Sequence, residues 1–205
     1  MSPSTSILMI VALLTPAIAA APTPRDVPRV TIEKLKVNGT GCRPDTVAVA
    51  VSPDATAFTV IYSDYLAQAG VGSKTKDERR TCGITVRLVV PAATAYAISA
   101  VDHRGYAHLE PLASATLSAR YHFQGSGAPA YTAHPFAGPF DDSWQVTDDA
   151  GGGAVFSPCG RDSKVDIDTE LRVRADRADA PTSLITMDST DAAVASTYRL
   201  VYRAC

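Results

Sequence analysis

The sequence predicts an all-β protein, a single-domain antiparallel β-sandwich crosslinked by two disulfides. Short runs in which apolar and polar residues alternate recur along the chain, and this period of two is typical of half-buried strands. The 13 glycines and 14 prolines fall mostly between these runs, where turns are needed. The four cysteines lack the CxxC spacing of a zinc site and therefore indicate disulfides. A jelly-roll and an immunoglobulin-like strand order both fit this pattern.

The predicted strands follow one another along the chain. Residues 46–51 and 57–62 are rich in β-branched and aromatic side chains, and the turn signal Pro53-Asp54 between them predicts a β-hairpin. The same reasoning predicts further strands at residues 84–90, 96–101, 115–123, 165–173 and 197–202. Helical patterns are scarce, and residues 31–37 are too short to assign.

Residues 1–19 predict a cleaved secretory signal. Their apolar core is interrupted by a proline and falls short of the roughly 20 residues that a membrane-spanning helix needs. Ala17 and Ala19 satisfy the small-x-small rule for cleavage after Ala19. We therefore expect a secreted, extracellular product with an extended leader over residues 20–36 and one soluble domain over residues 37–205.

The charge balance limits the classes of partner. The chain has 19 basic and 21 acidic residues, a net charge of −2, and no clustered basic face of the kind that nucleic-acid binding requires. It has no second apolar stretch of membrane-spanning length. Neither a phosphate-binding loop nor a dinucleotide fingerprint occurs, so we expect no cofactor, no nucleic-acid partner and no membrane span.

The cysteines allow three disulfide pairings, and one of them is favoured. We predict that Cys42 pairs with Cys82 and that Cys159 pairs with Cys205. This pairing closes the shortest segments, which loop-closure entropy favours by a logarithm of length. Each segment also contains complete strand runs that can fold back and bring its ends together, and the second bond would secure the C-terminal strand.

Three carboxylates lie on one face of a predicted strand. Asp166, Asp168 and Glu170 alternate with apolar residues, so successive acids stand roughly 6.5–7 Å apart. That separation is compatible with the carboxylate pair of a glycosidase. The same alternation is typical of any half-exposed strand, and we favour that interpretation.

Two acidic segments are candidates for a ligand or ion site. Asp141, Asp142 and Trp144 follow a Gly-Pro turn, and Asp188 and Asp191 lie in a polar segment nearer the C-terminus. Loop carboxylates can bind Ca²⁺, but no EF-hand pattern is present and aspartates also favour turns. We therefore expect no metal requirement.

The remaining polar residues offer no catalytic motif. The four histidines are scattered, and His103 and His108 would lie on opposite faces of a strand, which argues against a zinc site. No Gly-x-Ser-x-Gly elbow occurs. Asn38 begins a complete N-glycosylation sequon, so we expect a glycan there if the source is a eukaryote.

Several short strings occur in a characteristic order: Asp102-His103-Arg104-Gly105, Tyr121-His122-Phe123-Gln124-Gly125, Gly138-Pro139-Phe140-Asp141-Asp142-Ser143-Trp144, Ser157-Pro158-Cys159-Gly160 and Thr169-Glu170-Leu171-Arg172-Val173. Over residues 37–205 the sequence resembles domain-of-unknown-function family 4360, a family of small exported proteins of filamentous fungi and some bacteria. The resemblance implies secretion and a disulfide-bonded β domain. It brings no established activity, so no catalytic residue is transferred.

Two functions remain open at the level of sequence. The favoured one is a non-enzymatic extracellular protein, binding or structural, whose extracellular partner the sequence does not identify; a cell-wall or host-surface glycan is one candidate. The alternative is an extracellular hydrolase that acts on a glycan polymer through paired carboxylates. An aromatic cleft formed by Tyr131, Phe136, Phe140 and Trp144 would serve either function. Acids spread over an open sheet face would favour binding, whereas carboxylates with perturbed pKa values in a cleft would favour catalysis.

Overall fold

The computed structural model describes residues 30–125, 127–151, 153–159, 162–187 and 195–205, except for the side chain of Leu35. The residues of the expected signal peptide lie outside this description. The described residues form twelve strands: β1 (Thr31–Asn38), β2 (Val47–Val51), β3 (Ala57–Tyr62), β4 (Leu66–Ala69), β5 (Arg79–Val89), β6 (Thr94–Leu109), β7 (Ser114–Phe123), β8 (Ala130–Ala137), β9 (Phe140–Asp149), β10 (Ser163–Arg174), β11 (Ser183–Thr186) and β12 (Ser196–Ala204). Two 3-10 helices of one turn each span Pro44–Thr46 and Thr75–Asp77.

The strands form two antiparallel sheets that pack face to face, as the sequence predicts. The five-stranded sheet has the order β1-β5-β10-β7-β8. The seven-stranded sheet has the order β2-β3-β12-β6-β11-β4, and β9 pairs with the other edge of β6. Twelve described strands exceed the seven to nine of an immunoglobulin domain and the eight of a jelly roll.

Alternation along the strands builds the core between the sheets. On β10, Val165, Ile167 and Leu171 are fully buried, while the carboxylates between them face outward. Phe58 and Tyr198 stack across neighbouring strands with ring centroids 4.5 Å apart. Burial of each large apolar side chain stabilises the fold by roughly 1.5–3 kcal/mol, so this continuous core is the main stabilising contribution.

The domain begins earlier than expected. Residues 31–36 were assigned to an extended leader, but they belong to β1, which pairs with β5 along its length. A register irregularity between Lys34 and Lys36 interrupts the period-two pattern and hides the strand from sequence analysis. Ile32 and Val37 nevertheless pack against the core. The expected boundary at residue 37 is therefore too late.

Both predicted disulfides are present. Cys42, which follows β1, bonds to Cys82 of β5 with a Cα–Cα distance of 5.3 Å. Cys159 bonds to Cys205 with a Cα–Cα distance of 5.9 Å and fastens the end of the chain to the segment before β10. Among the described residues, no helix approaches the length and apolarity that crossing a membrane requires.

Candidate functional site

A row of polar side chains crosses the outer face of the five-stranded sheet. Asn38 of β1 pairs with Gly83 of β5, and Gly83 pairs with Asp168 of β10. Asp168 in turn pairs with Arg120 of β7, and Arg120 pairs with Tyr131 of β8. Direct cross-strand partners have Cβ atoms about 4.5–5.5 Å apart, so one register line brings together residues from all five strands.

Gly83 forms the floor of a groove along this row. A Cβ atom added there would lie 2.9 Å from both Asn38 Oδ1 and Asp168 Oδ1, which is closer than real side chains approach. The amide and the carboxylate therefore lean over the glycine from either side. Two adjoining depressions of 450 and 380 Å³ share these three residues and Arg120. We call the two depressions together the polar groove.

Several side chains of the polar groove have unused hydrogen-bonding capacity. Among the described residues, the side chains of Asn38, Asp168, Arg120, Lys36 and His122 make no hydrogen bond or ion pair. Together they offer an amide, a carboxylate, two cations and an imidazole. Tyr131, at the β8 end of the row, is 62% exposed. The groove thus presents free donors and acceptors beside an open aromatic ring.

The other two carboxylates of β10 are already engaged. Glu170 lies 2.5 Å from Arg79 Nη2 and 3.1 Å from Arg172 Nη2. Burial alone raises the pKa of Glu170, but the hydrogen bonds from these guanidinium groups outweigh it and hold the pKa below its ordinary value. Asp166 accepts a hydrogen bond from Thr85 Oγ1 at 2.7 Å. The prediction that the three acids share the outer face is confirmed.

The first acidic segment forms a strand where the sequence suggested a loop. Asp141, Asp142 and Trp144 all lie on β9, where alternation places Asp141 on the opposite face from the other two, and Asp142 is exposed whereas Trp144 is buried. Asp141 faces outward and accepts a hydrogen bond from Tyr106 Oη. Trp144 is buried, with its ring centroid 5.2 Å from that of Phe136. The three residues therefore do not converge on one ligand site.

The outcomes for the other expected sites differ. Asp188 and Asp191 lie outside the described residues. No group of three or more His, Cys, Asp or Glu side chains in the described part of the chain is arranged to hold a metal ion. The expected aromatic cleft is not formed, because Phe136, Phe140 and Trp144 pack together as part of the core. Tyr131 points away from them into the polar groove.

Sequence analysis missed a buried polar network between the sheets. Asp148 Oδ2 accepts hydrogen bonds from Tyr121 Oη at 2.5 Å and Thr132 Oγ1 at 2.7 Å, and Oδ1 lies 2.5 Å from His134 Nε2. His103, one of the histidines described as scattered, lies 2.6 Å from Tyr121 Oη through its Nε2 atom. Residues from three strands, β6, β7 and β8, therefore surround the carboxylate that β9 carries.

The proton positions in this network follow from its connections. Tyr121 donates its hydroxyl proton to Asp148, so its oxygen accepts from His103 Nε2–H. His103 Nδ1 then accepts from Ser196 Oγ, 2.8 Å away. Ser196 and His103 are fully buried, so this Ser-His pair is closed to a substrate.

The same bonds keep Asp148 ionised. Burial raises the pKa of a carboxylate, but His103, whose Nε2 atom lies 3.4 Å from Oδ2, and the hydrogen bonds from Tyr121, Thr132 and His134 lower the pKa of Asp148 well below its ordinary value. One sequence signal could have revealed the network. Asp148 lies on the same inward-facing row of β9 as Trp144, at a position where an apolar residue is expected.

Comparisons with known proteins agree with this architecture. A family model described as Domain of unknown function (DUF4360) matches residues 28–205. An uncharacterized secreted protein of Arthroderma benhamiae is 31% identical over 181 residues, covering 88% of this chain and 74% of that protein. The enzymatically active domain of bacteriophage CBA120 tailspike protein 4 covers 88% of this chain and 20% of its own, at 10% identity and a TM-score of 0.25. So low a similarity bears on neither fold nor activity.

Proposed function

Because the chain belongs to the DUF4360 family and is similar to a secreted fungal protein, we propose that it is a non-enzymatic extracellular protein that binds glycan. In this proposal the polar groove holds a segment of a cell-wall or host-surface polysaccharide. The signal peptide over residues 1–19, the fungal source and the glycan on Asn38 are parts of the same proposal. Secretion itself agrees with the two disulfides, which persist in oxidising compartments.

One observation carries the proposal: the free polar row that ends at an exposed tyrosine. Sugar hydroxyls both donate and accept hydrogen bonds, and planar groups such as those of Asn38, Asp168 and Arg120 can bond two of them at once. Sugar rings also have apolar C–H faces, which pack on an aromatic ring such as that of Tyr131. The groove is open along the sheet, as a polymer requires.

The state of the carboxylates favours binding over hydrolysis. A glycosidase needs one carboxylic acid that stays protonated near neutral pH, which requires a raised pKa. The pKa of Glu170 is instead lowered by its two arginine partners. Asp166 and Asp168 lie on an open sheet face, the arrangement expected of a binding surface. The ionised carboxylate of Asp148 is saturated with hydrogen bonds, which leaves it a poor general acid.

The proposal is tested by binding of the secreted protein to insoluble wall polymers and to a glycan array. The protein comes from a host that forms disulfides but does not N-glycosylate. We expect Arg120→Gln to weaken binding about tenfold or more, the usual effect of losing a central contact residue. Arg104→Gln is the matched control, since Arg104 is exposed on the outer face of the other sheet.

A second pair of variants separates stacking from charge. Tyr131→Ala should weaken binding, whereas Tyr106→Ala should not, because Tyr106 lies on the seven-stranded sheet. Unfolding curves of all four variants should show that each one folds. The proposal fails if no polymer or array glycan binds. It also fails if the groove variants bind as tightly as their controls.

A further inference from the structure

A second cavity lies at the edge of the sandwich and meets the polar groove at Tyr131, which lines both. It has a volume of 340 Å³, near the lower end of the range for small-molecule sites. Strands β7 and β8 of one sheet and β6 and β9 of the other contribute to its walls. Most of the lining is apolar, including Ile98, Val101, Phe123 and Val155. We call this cavity the edge cleft.

The polar end of the edge cleft is rich in acceptors. Asp148, Tyr121 and Thr132 all line it. Both hydroxyl groups give their protons to the Asp148 carboxylate, and the Tyr121 oxygen already accepts from His103, so the Thr132 oxygen keeps lone pairs to offer. A ligand that reaches these atoms must therefore bring its own hydrogen-bond donor.

The charges of the edge cleft are all of one sign. Its described lining contains two carboxylates, Asp148 and Asp149, and no Lys, Arg or His. No described Lys or Arg side chain forms an ion pair with Asp148. The groups that contact its carboxylate are hydroxyl and imidazole groups. A partly desolvated anion that has imidazoles but no described Lys or Arg beside it favours a positively charged ligand.

The walls suit the same kind of ligand. Three aromatic rings line the edge cleft, those of Tyr121, Phe123 and Tyr131. Aromatic faces attract cations, and the contact is stronger where water is excluded. We propose that the edge cleft binds a small organic ammonium ion with a compact apolar body. Its ammonium group donates to the oxygen of Thr132 in the electrostatic field of Asp148, and its apolar part packs against the walls.

The test compares three probes of nearly equal size and shape: 2-phenylethylammonium, 2-phenylethanol and phenylacetate. Binding to the full secreted protein is followed at neutral pH by calorimetry and by chemical shifts of the cleft residues. We expect the ammonium probe to bind about tenfold or more tightly than the alcohol, as a desolvated charge contact predicts. Phenylacetate should not bind. Equal affinity for the alcohol, or no saturable binding of the ammonium probe at millimolar concentration, would overturn the proposal.

Two variants locate the site without disturbing the buried network. Ala154→Trp fills the edge cleft from its rim and should abolish binding. Asp149→Asn removes the exposed charge of the lining and should lower the affinity for the ammonium probe several-fold. Asp176→Asn, an exposed acid outside the edge cleft, is the control and should bind normally. Unchanged binding to Ala154→Trp would place the probe elsewhere and contradict the assignment.

Discussion

At the residue scale, Asp148 is the centre of the buried hydrogen-bond network. It is 7% exposed and ionised, and Tyr121, Thr132 and His134 all direct hydrogen bonds at it. Asp148→Asn replaces an acceptor by a donor and leaves buried hydroxyl protons without a partner. We expect a loss of about 3 kcal/mol in the free energy of unfolding, measured by chemical denaturation. The neighbouring residue Asp149 is exposed, so Asp149→Asn should change the free energy of unfolding by less than about 0.5 kcal/mol.

The pH dependence of stability gives a second measure of the same residue. The pKa of Asp148 is lower in the folded protein than in the unfolded chain, where it is about 3.9. Its stabilising contribution is therefore complete above the unfolded pKa and is lost as the pH falls through the folded value. Between pH 5 and pH 2, roughly, the wild type should lose stability more steeply than Asp148→Asn. Parallel curves would contradict this account.

A glycan on Asn38, as proposed, would couple a modification to the polar groove. Its amide lies over Gly83, so a glycan attached there would start on the groove floor. Protein made in a eukaryotic host should lose mass on enzymatic deglycosylation and should then bind polymer more tightly. Thr40→Ala removes the sequon but keeps the Asn38 amide, and it should bind like the deglycosylated protein. An unmodified wild type, or equal binding before and after deglycosylation, would contradict the prediction.

At the scale of elements, the strands with regular alternation were predictable, the edge strand β2 among them, whereas β4, β8, β9 and β11 were not. The predicted runs at residues 57–62 and 165–173 correspond to β3 and most of β10. β8 and β9 were missed because most of their side chains are exposed and they carry polar residues, and β8 also a proline, which weaken the apolar alternation. β4 and β11, four residues each, are too short to show a period.

The C-terminal strand depends on its disulfide. β12 lies between β3 and β6, so its fraying would divide the seven-stranded sheet. Replacing Cys159 and Cys205 together by serine should lower the free energy of unfolding by up to about 4 kcal/mol. It should also speed amide exchange in β12 more than in β5. The Cys42/Cys82 double variant is the control, because it releases β5 instead. Unchanged exchange in β12 would show that packing alone holds the strand.

At the scale of the whole molecule, the candidate site depends on strand register, which sequence analysis does not reveal. In the sequence, Asn38 is notable as the start of a sequon and Asp168 as one of the acids on a predicted strand. Their meeting over Gly83, and the approach of Arg120 and Tyr131, require five strands from distant parts of the chain to pair in one register. Loops and turns carry local signals, whereas this row exists only after the sheet has formed.

Metal is not expected to hold the molecule together. Asp141 is engaged by Tyr106, and the described residues contain no cluster suited to a metal ion. Thermal melts with EDTA and with millimolar Ca²⁺ should therefore coincide. A rise of many degrees with Ca²⁺ would reveal a site that binds only the native state.

The most direct test of the glycan-binding proposal is a map of backbone amide shifts during titration with an oligosaccharide from whichever polymer binds. At 21.5 kDa the protein is within reach of such a measurement. We predict saturable shifts clustered at Asn38, Gly83, Asp168, Arg120 and Tyr131, with their neighbours on β1, β5, β10, β7 and β8. Shifts confined to the seven-stranded sheet, or saturation that leaves the row across Gly83 unmoved, would contradict the assignment of the polar groove.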